Sequence, residues 1–454
     1  MTARTAPPPA RFDVECETLI IGAGACGLVA ALSAKETGQQ VLVIEADAVP
    51  SGSTALSAGL IPAAGTAMQR AAGIDDAAAL FADDIQAKAK GENDQALVDL
   101  LAQNAAAAID WLAETHGLPF SVVTDFDYPG HSRRRMHGLP TRSGAELIDA
   151  LRSACERNDI DIICDLRATV LFHKEGVIKG VSVTRPDGEV ETIGCQRLIL
   201  ACNGFGGNRA LVSQYMPEIE GGLWFGHDGN TGDAVLWAEE IGADVQHLGA
   251  YQGHGNVAHP HGILITWAVI TEGGVQVNRD GVRFWDESQG YSEAARVVLA
   301  QPGAEAFAIF DDRIAAIARQ FEDFKRAEAA GAVHKGDSIA ALADALALPR
   351  DALSETLRGL PENGTDVFGR KFGQHPLTPP YCGVRVTGAL FHTQGGLRVN
   401  GQAQVLRKNG APFSNLYAGG GAACGVSGAR DSGYLSGNGL LSAIVLGRQA
   451  GIAR

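Results

Sequence analysis

The 454-residue chain is poor in aromatic residues, in paired cysteine spacing and in positive charge. Its eight cysteines (Cys16, Cys26, Cys155, Cys164, Cys195, Cys202, Cys382 and Cys424) form no C-x-x-C pair and no metal-ligand spacing, so no metal site is expected. They read as buried small hydrophobes of a reducing compartment. Without C-x-x-C-H or iron–sulfur spacing, the chain is expected to carry no second redox centre of its own. The formal net charge of −15 argues against a nucleic acid or an anionic membrane as partner, although an anionic small substrate stays open. Residues 1–13 lack the apolar core of a signal peptide. The uncharged run 18–34 is short for a membrane span and is interrupted by glycines. A soluble, cytoplasmic protein with no membrane span is expected.

Glycine, by contrast, is abundant at 57 residues, alongside an ordinary 46% hydrophobic and 20% charged composition. That length and apolar content suit two domains with sizeable cores. The most informative stretch is 18–45, TLIIGAGACGLVAALSAKETGQQVLVIE. It predicts a strand at 18–21, a turn at Gly22, Gly24 and Gly27, a helix over 28–37 and a second strand at 41–44. Gly22 allows the sharp turn, Gly24 the close approach of a pyrophosphate, and Gly27 tight helix–sheet packing. The helix N-terminus faces the phosphates, and Glu45 ends the second strand where a ribose diol would need an acceptor. This context makes the stretch a dinucleotide site, without saying which dinucleotide.

Small residues follow at 51–65. A helical pattern covers 75 to about 116, and a loop at 127–140 sets Arg133, Arg134 and Arg135 beside His131 and His137. Another amphipathic helix is expected at 143–158. Alternating stretches at 161–166, 169–174, 177–184 and 189–194, with a turn at Asp187-Gly188, predict a β-meander leading into a buried strand at 198–202. Glycine turns recur at 203–208 and 226–242. From about residue 249 a histidine-bearing segment precedes a strand pair around 270–283, and helices dominate to about 360. Strands and glycine turns return at 395, and a last helix covers 439–450. Glycine turns at both ends predict one nucleotide domain interrupted by another. The expected bounds are 1–248 and 393–454 for the nucleotide domain and 249–392 for the insert.

This arrangement resembles the fumarate reductase/succinate dehydrogenase flavoprotein family over essentially the whole chain. The matching stretches are the 18–45 fingerprint, STALSAG at 53–59, LILACNGFGGN at 198–208, GNTGDA at 229–234, GGVQVNRDGVRFWDE at 273–287, HTQGGLRVN at 392–400 and LYAGGGAACGVSG at 416–428. The resemblance implies an α/β, Rossmann-like FAD-binding domain of the glutathione-reductase type interrupted by an α+β capping domain. It also implies FAD as the dinucleotide, held non-covalently because 51–59 contains no histidine. The FAD contacts it implies come from Gly22, Gly24, Ala25, Cys26, Gly27, Glu45, Ala46, Ser53, Thr54, Ser57, Ala58 and Gly59. Further along they come from Ala168, Ala201, Asn203, Gly204, Asn208, Asp233, Gly420, Gly421, Ser436, Gly437, Asn438 and Leu440. Gly437-Asn438-Gly439 opens the last helix, whose N-terminus suits the negative charge of a reduced flavin.

The family's catalytic positions differ here. Tyr291 stands where the fumarate reductases carry their acid arginine, and Trp267 and Ile270 replace a proton-relaying glutamate and arginine. Tyr434 replaces a second substrate arginine, with Arg430 nearby, whereas His254 and His392 match the substrate histidines. Tyrosines in both places resemble the 3-ketosteroid delta-1 dehydrogenases, in which one takes a proton alpha to a ketone and the other donates to the ketone oxygen. Such a base needs a neighbouring positive or hydrogen-bonding group, for which Tyr128, Arg133–Arg135 and His254 are candidates. The catalytic set is therefore Tyr291, Tyr434, His392 and His254, with Tyr128, Arg133, Arg430 and Trp267 toward the substrate. The expected activity is desaturation next to the ketone of a small cyclic oxo-compound, with 4-oxocyclohexanecarboxylate the sharpest candidate. The alternatives are an ene-reductase of an unsaturated acid, a 3-ketosteroid dehydrogenase and a non-catalytic flavin carrier. Electrons would pass to an external acceptor: oxygen, a quinone or a carrier protein.

Overall fold

The computed structural model describes residues 4–125, 127–373 and 375–453. An edge strand β1 (Arg4–Ala6) precedes β2 (Val14–Ile21), helix α1 (Ala25–Glu36) and β3 (Val41–Ile44). The expected strand–turn–helix–strand is present, and the helix starts three residues earlier than its apolar pattern shows. Two helices follow, α2 (Ala78–Ala89) and α3 (Gln95–Glu114), where the periodicity predicted one. The break falls at Lys90, which takes a left-handed conformation (φ 54°) before Gly91 and so ends α2 as a C-cap. Among the described residues α3 alone has the length and hydropathy of a membrane span; half of that window is buried, with Leu101, Ile109 and Leu112 in the core.

Helix α4 (Gly144–Arg157) leads to β4 (Asp161–Ile163), β5 (Arg167–Lys174), β6 (Val177–Thr184), β7 (Val190–Leu200) and α5 (Asp233–Ile241). Here the meander expectation needs two corrections. β4 is not part of it, because it pairs in parallel with β3 on the opposite side of the sheet. The stretches 189–194 and 198–202 are one strand, β7, whose first half pairs antiparallel with β6 and whose last residues pair in parallel with a later strand. Alternation could not reveal this, because one strand changes neighbours along its length.

The chain divides into two compact units. The first comprises Met1–Met216, Gly226–Tyr251 and His392–Arg454, and the second Pro217–Phe225 and Gln252–Phe391. The second unit contains β8 (Tyr251–Ala258) from Gln252 on, a short helix α6 (Ala268–Thr271), β9 (Val275–Val277), α7 (Tyr291–Leu299), β10 (Glu305–Asp311) and β11 (Tyr381–Thr393) up to Phe391. The strand pair expected around 270–283 is reduced to β9 and a single antiparallel bridge between Val277 and Arg283, and Ile270 lies in α6. Helices dominate from there to residue 358, at Tyr291–Leu299, Asp312–Ala318, Glu322–Ala329, Ile339–Leu346 and Arg350–Arg358, as the pattern predicts, while β8, β11, β10 and β9 run side by side in a seven-stranded sheet. Along β9, Val275 and Val277 pack with Phe307, Ile309 and Leu342, while Gln276 between them takes the other face.

The chain then adds β12 (Gln404–Leu406), β13 (Pro412–Ala418) and the last helix α8 (Asn438–Ile452) to the first unit. Its nine-stranded sheet runs β1-β5-β6-β7-β2-β3-β4, with β13 beside β7 and β12 beside β13. Strands β2, β3, β4, β7 and β13 are mutually parallel, so their C-terminal ends share one edge. The core is formed by Leu19, Ile20, Leu28, Val29, Leu32, Ile444 and Val445 among others, all fully buried or nearly so.

Candidate functional site

The predicted nucleotide residues collect at that shared edge, where open α/β sheets bind ligands. A side chain at Gly27 would place Cβ 1.9 Å from the Gly22 carbonyl oxygen, and one at Gly22 (φ 104°) would place it 2.5 Å from the Ala201 carbonyl oxygen. Gly24 has only Thr54 Oγ1 at 3.6 Å from its virtual Cβ, leaving its open side free for a phosphate. Helix α1 has no side-chain cap from Gly24; its Ala25 N–H donates to Thr54 Oγ1 (3.1 Å). Glu45 follows β3, and its carboxylate accepts from the N–H groups of Ala23 (2.8 Å) and Asp47 (3.0 Å). Asn203, left-handed at φ 65° after β7, donates to Ser53 Oγ (2.7 Å). Ser57 and Gly59 belong to one turn, in which the Gly59 N–H donates to Ser57 Oγ. Asp233 opens α5 and pairs with Arg167 (2.9 Å), next to Ala168 in β5. Asn208 is occupied structurally, capping the helix Arg209–Tyr215 and donating to the Thr231 carbonyl.

At the head of α8, backbone and side-chain groups converge. Its N-cap, Gly437, is left-handed (φ 87°) and supplies no capping side chain. The Tyr434 hydroxyl meets the N–H groups of Gly437 and Gly439, while burial pushes its pKa up to about 12. Tyr434 therefore keeps its proton across the physiological range and is a hydrogen-bond donor. The His392 ring lies 5.3 Å from the Tyr434 ring, edge to face. The Gln394 amide, anchored by Ser427 (2.7 Å), donates to His392 Nδ1 (2.8 Å), the shorter of that nitrogen's two contacts (the Thr393 carbonyl is at 3.4 Å), which favours the ring proton on Nε2. Burial lowers the His392 pKa to about 4, so the ring is neutral. Asn438 Oδ1 is buried without a partner among the described residues, which costs about 1–3 kcal/mol unless a ligand donor meets it. A donor-lined helix head and an orphan acceptor beside a glycine cradle fit a flavin dinucleotide.

The second unit builds a different cluster. Gly255 in β8 has no room for a side chain, because its Cβ would sit 2.4 Å from Ala294 of α7. That close approach, with the Gly253 N–H donating to Ser292 Oγ (2.9 Å), stacks the His254 and Tyr291 rings at 5.0 Å and 17°. The stack continues from His254 to Phe391 (5.5 Å) and on to Phe225 (4.8 Å). Trp267 stands edge-on to His254 (5.7 Å) and Tyr291 (6.4 Å). Burial drives the His254 pKa down to about 3, and the Asn256 N–H donates to its Nδ1 (3.2 Å). His254 is thus a neutral Nε2–H tautomer. Its contact with Tyr291 is a ring stack.

In the basic loop Arg133 and Arg134 are exposed, and of the three arginines only Arg135 turns inward. Arg135 is buried between Asp76 (3.0 Å) and Asp84 (2.6 Å), and Arg134 pairs with Asp127. Exposed Arg133 donates to the carbonyls of Asp75 and Ser132, and Arg430 is also exposed. Tyr128 packs against the Leu60, Val123 and Met136 cluster, where burial pushes its pKa up to about 12. Ala46 and Ala58 are exposed; Ala201, Gly420, Gly421, Ser436 and Leu440 are half-buried, and Cys26 and Gly204 are buried. Gln394 and Gln276 escaped the sequence reading.

A family model described as an FAD binding domain matches residues 17–440. A probable fumarate reductase of Shewanella frigidimarina is 32% identical over 96% of this chain and 74% of its own length. The open conformation of a flavocytochrome c3 fumarate reductase aligns with a TM-score of 0.83 at 30% identity, covering 98% of this chain and 78% of that one. The fold alone is also shared with a 3-ketosteroid-delta4-(5alpha)-dehydrogenase of Rhodococcus jostii RHA1, at TM-score 0.79 and 23% identity over 100% and 99% of the two chains. With the glycine cradle, Glu45 and the α8 head all in place, the chain belongs to the FAD-binding-domain family, within the fumarate reductase group of FAD-dependent oxidoreductases.

Proposed function

We propose that this protein is a desaturase that removes two hydrogens across the carbon–carbon bond next to the ketone of a small cyclic oxo-compound, 4-oxocyclohexanecarboxylate being the first candidate. The observation that carries the reading is a pair of tyrosines, each beside a neutral histidine, at positions where the resemblance expects arginines. Tyr434 remains protonated and would donate to the ketone oxygen as negative charge develops there. Tyr291 would take the alpha proton, with its ring held in the His254 stack. Bound FAD supplies the acceptor for the hydride leaving the beta carbon. Gly22, Gly24, Glu45, Thr54 and the head of α8 would hold it, and the lack of histidine in 51–59 supports non-covalent attachment. An external acceptor (oxygen, a quinone or a carrier protein) then takes the electrons. Eight unpaired cysteines suit a reducing cytoplasm.

The identity to fumarate reductases supports a second reading, reduction of an unsaturated acid. An anaerobic screen separates the two. The flavin of the holoenzyme should bleach with 4-oxocyclohexanecarboxylate, cyclohexanone or a 3-ketosteroid. Tyr291→Phe should keep FAD bound and slow bleaching by about 10²- to 10⁴-fold. Bleaching at full rate in that variant removes Tyr291 as the base. Inert ketones, together with reoxidation of chemically reduced flavin by fumarate, would replace the desaturase with the reductase.

A further inference from the structure

Gln276 is a fully buried amide in the middle of β9, between two valines that face an apolar cluster. An amide at such a place is unfavourable unless its polar atoms are matched. Here its backbone N–H donates to Glu287 Oε1 (2.9 Å). Its Oε1 accepts from Trp285 Nε1 (3.1 Å), and its Nε2 donates to the Gly255 carbonyl (2.8 Å) and reaches Asn256 Oδ1 (3.4 Å). One residue therefore joins two segments. Gly255 and Asn256 immediately follow His254, and the Asn256 N–H sets the tautomer of that ring. Glu287 lies four residues before Tyr291, in the 3-10 turn that ends at Gly290 (φ 132°) and feeds α7.

The Glu287 end is itself immobilised. Its carboxylate has no solvent exposure and is gripped by Arg283 (2.9 and 2.5 Å) and Arg370 (3.0 Å). Arg370 also donates to the Ile270 carbonyl (2.7 Å) in α6, the helix that Trp267 caps, and Arg283 pairs with Asp366. The result is a continuous buried chain of polar contacts from the ion cluster through Gln276 to the peptide beside His254.

We infer that Gln276 is a positioning residue that sets the His254 ring against Tyr291, a role that rests on the reading of Tyr291 as the base. It touches neither ring. It ties the strand that carries one to the turn that delivers the other, and a displacement of about 1 Å at a reacting group is enough to cost a large factor in rate.

The test uses holoenzyme carrying Gln276→Met, which keeps the volume and removes the amide. Gln276→Asn, too short to reach Gly255, is the second variant should the first fail to fold. With ¹⁵N-labelled histidine and the His254 signals identified by their loss in His254→Phe, the variants should shift the His254 ring nitrogens and leave those of His392 in place. With 4-oxocyclohexanecarboxylate the limiting rate of anaerobic flavin bleaching should fall about 10- to 100-fold, and the half-saturating concentration should change less than about 2-fold. In a Tyr291→Phe background the same substitution should add no further loss. His254 signals unchanged in either folded variant overturn the inference, as does a shifted signal with an unchanged bleaching rate. Wild-type flavin that no ketone bleaches overturns the reading of Tyr291 instead, and the histidine spectrum then decides the placement alone.

Discussion

The two histidine–tyrosine clusters use the same residue types and are built by opposite means. In the second unit, His254 and Tyr291 are face-stacked, and the His254 tautomer is set by a backbone N–H. In the first, His392 and Tyr434 meet edge to face, the tautomer is set by the Gln394 side chain, and the tyrosine hydroxyl rests on a helix head. The stacked pair depends on how closely strand and helix approach. The edge-on pair depends on individual hydrogen bonds, so single side-chain changes should act on it more selectively.

The largest effect expected beyond Tyr291 itself tests the support of the stacked pair. Glu287→Ala leaves Arg283 and Arg370 buried without their shared carboxylate, and should lower unfolding stability by about 3–5 kcal/mol. Denaturant titration of the holo-protein measures this. A loss below about 1 kcal/mol would show that the ion cluster does not brace the turn before Tyr291. Next comes Tyr434→Phe, which removes one donor to the ketone oxygen and should slow flavin bleaching by about 10²- to 10³-fold with FAD retained. A slower decline than in Tyr291→Phe would mark the two tyrosines as unequal partners; an identical one would merge their roles.

Acid titration compares the units through their neutral histidines. The His254 imidazole titrates near 6.5 when unfolded and at about 3 when folded, so between those values only unfolding takes up its proton. Stability therefore falls as pH drops from 6.5 toward 3, by about 1.4 kcal/mol per pH unit for one such group. His254→Phe, which preserves the stack, should remove that one-proton slope from stability measured against pH. His131, His137 and His392 of the first unit, each lowered to about 4 by burial, should keep theirs. The smallest effect is expected from Gln394→Leu. It removes the bonds to His392 and Ser427, worth about 1 kcal/mol each, and should change the His392 ¹⁵N pattern without touching that of His254.

How much of this was legible depended on how local the cause was. The dinucleotide turn could be read because its glycines, helix and acidic residue act within 28 consecutive positions. The division of 75–116 into two helices was missed although its signals are local, Gly91 after Lys90 as a helix stop and Asp94 as the N-cap of α3, because the apolar spacing continues on both sides of them. Strand β7 hid in two pieces because its neighbours change halfway. Tyr291, His254, His392 and Tyr434 stood out only through a family resemblance, because isolated tyrosines and histidines carry no spacing signal. Gln276 between two valines looked like an ordinary interruption of a strand.

What the sequence determined by itself was the chemistry within reach of a few neighbours: a dinucleotide cradle, a glycine-rich edge and no metal-ligand spacing, whereas FAD, and tyrosine where arginine was expected, came through the family resemblance. Only the tertiary structure decided the protonation and orientation of those groups. His254 and His392 are neutral because burial withdraws water from an imidazolium, and each proton sits on Nε2 because a donor reaches Nδ1. Burial is a property of how distant segments pack, and it cannot be read from any one of them.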